Sequence, residues 1–241
     1  MDLLSSKALA VGDDGARGWA TMAFQINKAE QVYALLEDMI TFQDLAPGEA
    51  VSEADLMART GFGRTPVREA LQRLARERMV EIHPNRGVFV APVSVEAHFR
   101  LLELRRGVEE MAVRFATFRA RTAQKEQMLR LSVDLEEFSG TDVRRFAVLL
   151  KGSHELIVEA AHNEFLELAM APLQSLSRRF WFANLPDVAR ELRTAADLHR
   201  DVHQAVAHSD EQAAVTSALR LNDYLVDLTY GALGRPMTPR S

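Results

Sequence analysis

There is no cysteine among the 241 residues. That excludes disulfide frameworks, thiol catalysis and cysteine-ligated zinc or iron–sulfur centres. Nor is there an uninterrupted apolar run near the ~18 residues of a membrane span, so an integral membrane protein is not expected. The N-terminus carries Asp2, Asp13 and Asp14 and lacks an apolar run behind a basic start. It does not read as a secretory leader, and the expected compartment is the cytoplasm. Enzyme signatures are missing as well: no Gly-x-Ser-x-Gly, no phosphate loop and no dinucleotide fingerprint. His154-Glu155 begins like a zinc-protease motif, but Val158 stands where the second histidine is needed. Catalysis is therefore not expected. What is present is an ordinary globular balance, 47% hydrophobic and 26% charged, which excludes a disordered chain.

The net charge of −5 argues at first against a nucleic-acid partner, but the charge is unevenly spread. Between Arg59 and Pro92 stand Arg59, Arg64, Arg68, Arg73, Arg76, Arg78 and Arg86 against Glu69, Glu77 and Glu81, a local charge of +4. All the cations are arginine, the side chain suited to bidentate contact with phosphate and guanine. A basic stripe on an acidic protein fits a DNA-reading face, and it equally fits a solvated helix surface.

Residues 1–24 read as a flexible tail, with Gly12, Gly15 and Gly18 and no periodicity. Val32, Leu35, Leu36, Met39 and Ile40 then form one apolar helical stripe, which Pro47-Gly48 ends. Ser52 with Asp55 suggests an N-cap and a variant capping box, and Gly61 a helix end. A further helix is expected with Thr65 as cap and Pro66 at its first position, running to about Arg78. Val80–Ile82 and Val88–Val90 read as two short strands around a turn at Pro84-Asn85-Arg86-Gly87. Helix, helix, tight turn, helix and ribbon together predict a winged helix-turn-helix over residues 25–92, whose third helix enters the major groove. After Pro92-Val93-Ser94 no strand signal remains. Helical patterns cover 95–120, 122–138, 142–162, 164–183, 187–208 and 211–232. The expected fold is mainly α: the winged domain followed by an all-α bundle of about six helices over 95–232.

Arg64-Thr65-Pro66-Val67-Arg68-Glu69-Ala70-Leu71 resembles the recognition-helix signature of GntR-family bacterial transcription regulators. Leu45-Ala46-Pro47-Gly48-Glu49 upstream and Pro84-Asn85-Arg86-Gly87-Val88-Phe89-Val90 downstream are similar to the rest of that domain. The helical remainder resembles the ligand-sensing FCD domain of the FadR subfamily, through Leu104–Glu109, His154 with Ala160-Ala161-His162-Asn163, and Leu198-His199-Arg200. The resemblance implies DNA contacts at Arg64, Thr65 and Arg68, a wing approach at Gly87, and phosphate contacts at Arg73 and Arg86. Arg73 and Arg76 read equally well as solvated helical arginines, and Glu69 as a partner for Arg73 at i+4. Two departures stand out: Gly63 where the family often has serine, and Ala54 where some members have arginine.

Many FCD domains hold a divalent metal with one aspartate and three histidines. His154 and His199 match two of those positions; Leu150 replaces the aspartate, and Leu221 or Asn222 occupies the last histidine position. His203, at i+4 from His199, is the candidate third ligand of a zinc or nickel site, with a metal-free pocket as the alternative. The resemblance also puts Arg105 at the pocket, to fork onto a ligand carboxylate, against the plainer reading of an ion pair with Glu109. Arg178, Arg179, Trp181 and Asn184 lie on a helix that could line the same cavity. The expected protein is thus a DNA-binding regulator, a homodimer and mostly of the repressor kind. A small carboxylate effector binds in its bundle at Arg105, His154 and His199. The alternative is a constitutive dimeric DNA-binding protein whose bundle only dimerises.

Overall fold

The computed structural model describes residues 14–84 and 86–233, with side chains from residue 28 onward. Helix α1 (Asp14–Thr41) already opens inside the stretch expected to be a tail. Residues 1–13, and Asn85 of the expected turn, lie outside the described residues.

A short strand β1 (Ala50–Val51) precedes α2 (Glu53–Thr60) and α3 (Arg64–Arg76), and β2 (Val80–His83) and β3 (Gly87–Val90) close the first unit. The start of α2 follows from chemistry legible in the chain. Ser52 Oγ accepts from the Asp55 amide and the Asp55 carboxylate accepts in return, a reciprocal capping box. Gly61 ends the helix in the left-handed region at φ 73°, where a side chain would be strained. The next start differs from expectation. Gly63, not Thr65, is the N-cap of α3, with no side-chain cap bond, and Pro66 is the third helical residue. Proline is tolerated there because the N–H groups of the first turn have no intrahelical acceptor.

The sheet has the order β1-β3-β2, antiparallel throughout, with Val51 opposite Val88 and Val80 opposite Val90. Gly87 begins β3 at φ 96°, and a Cβ there would lie 3.3 Å from the Val51 carbonyl. Val32, Leu36 and Ile40 of α1 pack with Leu56, Val67, Leu71, Leu74, Val80, Val88 and Val90 into one core.

Six helices follow: α4 (Val95–Arg119), α5 (Thr122–Glu137), α6 (Val143–Ala160), α7 (Glu164–Ala183), α8 (Val188–Ala207) and α9 (Glu211–Ala232). They coincide with the predicted segments to within two residues because short polar side chains cap them. Asp142, Asn163, Asp187 and Asp210 each accept from a first-turn amide. Pro172 interrupts the α7 ladder at the carbonyl of exposed Leu168, where water can serve it. Helix α4 packs against α9 on one side and α7 on the other. Arg119 donates to the Ala161 carbonyl at one end of the α4–α7 pair, and His98 meets Ser177 and Phe180 at the other, so the two helices run antiparallel.

The two units are joined at α1 and α7, and by a small apolar cluster of Val93, Phe180 and Ala232 at the connecting segment.

Candidate functional site

Two regions carry chemistry, one in each unit. In the first, α3 buries Val67, Ala70, Leu71 and Leu74 and turns its polar side outward. That leaves Arg64, Thr65 and Arg68 exposed around its N-terminal turns, the end a recognition helix presents to bases. Arg68 is held ready rather than free, since its Nε lies 2.8 and 2.9 Å from the two carboxylate oxygens of Glu53. Arg73, expected as a phosphate contact, is tied into the fold instead. It bonds Glu30 and Glu77, and its guanidinium carbon sits 3.8 Å from the centre of the Tyr33 ring. Arg86 is exposed at the start of the wing. Gly87 has a reason internal to the protein, its positive φ and its approach to β1.

In the bundle, Arg105, His154 and His199 converge from α4, α6 and α8 on one internal cavity of about 20 Å³. Leu150, Arg178, Trp181 and Tyr224 also line it. That volume accepts about one water molecule. Arg105 is 1% exposed, and its Nε and Nη2 bond the Glu109 carboxylate at 2.7 and 3.1 Å. The i+4 ion pair and the pocket position are therefore both real.

The histidines form a defined pair. His199 Nδ1 donates to the Ala195 carbonyl at 2.8 Å, which can only accept, so His199 Nε2 is a lone pair. It lies 3.2 Å from His154 Nε2, which must supply the shared proton. His154 Nδ1 is then a buried acceptor with no partner among the described residues. Arg105 Nη2 meets His154 Nε2 at 3.5 Å, too long for a hydrogen bond but close enough for repulsion to count. Burial first, then His199 and Arg105, holds the His154 pKa well below the ordinary value. Burial lowers that of His199 to about 4, against the opposing effect of the Ala195 bond. Both rings are neutral near pH 7.

The third expected ligand does not join them. His203 Nε2 is turned to Ser153 Oγ, 2.6 Å away on α6, and lines neither this cavity nor the similar one beside it. The α8 backbone does place His203 one turn from His199, but the Ser153 hydroxyl captures the imidazole. Asn222 approaches the Leu102 carbonyl at 3.4 Å, and Leu150 contributes only methyls. No group of three or more His, Cys, Asp or Glu fit to hold a metal ion occurs among the described residues. The donor set does not fit zinc or nickel, and the metal reading of His154, His199 and His203 is withdrawn.

Of the α7 residues expected at the cavity, Arg178 and Trp181 line it. Asn184 caps the end of the helix on the Phe180 carbonyl, and Arg179 faces elsewhere. Tyr224 and Ser177 lie at the cavity without a sequence signal; Tyr224 accepts from Trp181 Nε1 and donates to Glu191.

The most consequential residue missed in the sequence is Glu37, near the C-terminal end of α1 and 2% exposed. Its carboxylate gathers three donors from the bundle: Ser175 Oγ at 2.6 Å, Arg178 Nη2 at 2.5 Å and Lys151 Nζ at 3.1 Å. Burial alone would raise its pKa, but Arg178, Lys151 and the Ser175 hydroxyl outweigh that and bring it below the usual carboxylate value. A carboxylate beside Leu36 on a core-facing stripe was the available signal. Arg178 thus touches both the bundle cavity and the first helix of the DNA-reading unit.

Comparison with known proteins agrees with this division. The model for bacterial regulatory proteins of the gntR family matches residues 28–90, and that for the FCD domain matches residues 100–223. The Nta operon transcriptional regulator of Aminobacter aminovorans is 32% identical over 199 residues, covering 81% of this chain and 93% of that protein. The galactonate operon transcriptional repressor of Escherichia coli is 26% identical, covering 81% and 94%. Among solved structures, Escherichia coli McbR/YncC shares the fold at a TM-score of 0.69 and 19% identity, covering 85% of this chain and 97% of that one.

Proposed function

The chain belongs to the GntR family of bacterial regulatory proteins and carries an FCD domain, and from that premise we propose that it is an operator-binding repressor released by a small organic acid. Its place of action is the cytoplasm, where operators are. Arg64, Thr65 and Arg68 read the operator, with Arg86 on phosphate. Arg73 contributes indirectly by fixing α3 against α1.

The effector enters among Arg105, His154 and His199, as a carboxylate that competes with Glu109 for the Arg105 fork. The name of the galactonate operon relative is in keeping with a hydroxylated acid, whose hydroxyl could donate to the free His154 Nδ1. A cavity of about 20 Å³ is too small for such a molecule. Binding therefore selects an expanded bundle, and it changes DNA affinity by no more than the difference in affinity for the two states.

The observation that carries the reading is Arg178. It lines the cavity and bonds Glu37 of α1, so an anion that recruits this arginine loosens the docking of the DNA-reading unit. The protein works as a homodimer. Met111 and Phe118 lie seven residues apart on α4 and are 47% and 71% exposed. Phe165 and Leu168 of antiparallel α7 are exposed as well, and large exposed apolar side chains of this kind are suited to an interface.

The closed cavity and the neutralised Arg105 favour one rival, a constitutive dimeric DNA-binding protein. Selection of a duplex from random sequence, followed by fluorescence anisotropy with galactonate and a panel of dicarboxylates, separates the two. An acid that weakens duplex binding, at lower concentration in Ser175→Ala than in the wild type, supports release through the Glu37 contact. Acids that bind in calorimetry yet leave duplex affinity unchanged leave only the constitutive reading.

A further inference from the structure

Arg179 neighbours Arg178 on α7 but points about 100° further round the helix, into a different space. This is a cleft of about 760 Å³ between the two units. One wall is the end of α3 with the start of β2, another the connecting segment Ala91–Ser94, and the floor is formed by α4 and α7. The cleft adjoins the C-terminal end of α3, at the opposite end of that helix from Arg64, and it is separate from the cavity at Arg105. Its size falls within the range of small-molecule pockets, roughly 300–1,000 Å³.

Its chemistry is lopsided. Leu101, Leu104, Leu173, Leu176 and Phe180 make an apolar surface. Arg179, in the wall, is 2% exposed. One nitrogen, Nη2, donates to the Ala91 carbonyl; Nε has no partner among the described residues and is shut off from solvent. No carboxylate pairs with Arg179 among those residues, and burial alone lowers its pKa to about 10. A buried guanidinium is ordinarily matched by a counterion, because removal of a charge from water costs several kcal/mol unless it is paired.

The other polar groups do not supply that counterion. His98 is neutral, stacked on Phe180 with ring centres 3.9 Å apart and bonded to Thr229 and Ser177. Glu77 is occupied by Tyr33 and Arg73, and Glu81 by His83. Exposed Arg76, Arg78 and Arg100 add positive charge at the rim.

We propose that this cleft is a second ligand site, for a small amphipathic carboxylate whose anionic head pairs with Arg179 and whose apolar body lies on the leucines and Phe180. A monoanion suits one buried cation, and a dianion would carry a second charge against apolar walls. Because Arg179 also holds the Ala91 carbonyl, an occupant here stiffens the segment that joins the DNA-reading unit to the bundle.

The test uses the full-length protein and decanoate as the probe in titration calorimetry, with inorganic phosphate as the head-group control. The expected result is saturable binding of one decanoate per chain and no binding of phosphate. Affinity falls at least tenfold in Arg179→Gln and in Ala97→Trp, which fills the cleft from an exposed helical position, and stays unchanged in Arg105→Gln. The melting temperature of Arg179→Gln without ligand should be equal to or above that of the wild type, since an unmatched buried charge has been removed. Decanoate binding that survives both cleft variants overturns the proposal, as does binding lost in Arg105→Gln instead. A several-degree fall in the melting temperature of Arg179→Gln with undiminished decanoate affinity assigns the arginine to holding Ala91 alone. Absence of decanoate binding, with self-association altered in Ala97→Trp, assigns the cleft to a second copy of the chain.

Discussion

Arg68 and Glu53 form an exposed pair through Nε, and the Glu53 charge competes with DNA for the same guanidinium. Exposed pairs of this kind are worth about 0.2–1 kcal/mol. Glu53→Gln should therefore raise duplex affinity about two- to fivefold at low salt, while Arg68→Ala lowers it by about 1–3 kcal/mol and reduces the salt slope. Unchanged duplex affinity in Arg68→Ala would remove Arg68 from the contact set.

Titration at His98 has a definite sign. Burial, with Arg105 second, lowers its pKa from 6.5 to about 3, so the folded chain holds it neutral while the unfolded chain protonates near 6.5. Its contribution is complete above pH 6.5 and is lost as the pH falls, at up to about 1.4 kcal/mol per pH unit. His98→Gln should flatten the loss of urea stability between pH 7 and pH 5 by about that slope. An unchanged slope would mean that this ring does not titrate on unfolding.

At the scale of elements, α3 starts with less than it could have. Gly63 at φ −75° offers no cap, and a Cβ there would meet nothing within 4 Å. Gly63→Ser should stabilise the domain by a few tenths of a kcal/mol, seen as a small rise in urea midpoint with unchanged slope. Destabilisation would show that the turn needs glycine after all. The cap position was misread because Thr65-Pro66 carries a start signal that is locally sound. The tight turn from Gly61 begins the helix two residues earlier, placing both residues inside the first turn. Strand β1 escaped notice because two residues, Ala50 and Val51, show no period; pairing with β3 makes them a strand.

At the scale of the whole molecule, the proposed dimer rests on the exposed apolar residues of α4 and α7. Phe118→Glu or Met111→Glu, which place charge on that apolar surface, should convert the dimer to a monomer in light scattering. They should also weaken duplex binding strongly, because one half-site then replaces two. Persistence of the dimer in both variants would move the interface elsewhere. The link from cavity to α1 belongs to this scale too. Glu37 is 138 residues from Ser175 and 141 from Arg178 in sequence, and only the packing of α1 on α7 brings them together.

The sequence by itself determined the order and kind of the elements. Helical periodicity, aspartate and asparagine caps, and the Ser52-Asp55 and Gly61 signals all act over a few residues. It also determined which arginines α3 turns outward, since Val67, Ala70, Leu71 and Leu74 fix its buried face. Only the tertiary structure decided what those residues meet. His203 turned to Ser153 rather than to His154 and His199, Arg73 was drawn to Glu30 and Tyr33, and Arg178 and Arg179 faced two different cavities. Helix spacing states which side chains share a face. Which group on another helix captures each imidazole or guanidinium depends on the packing of distant segments, and local sequence carries no record of that.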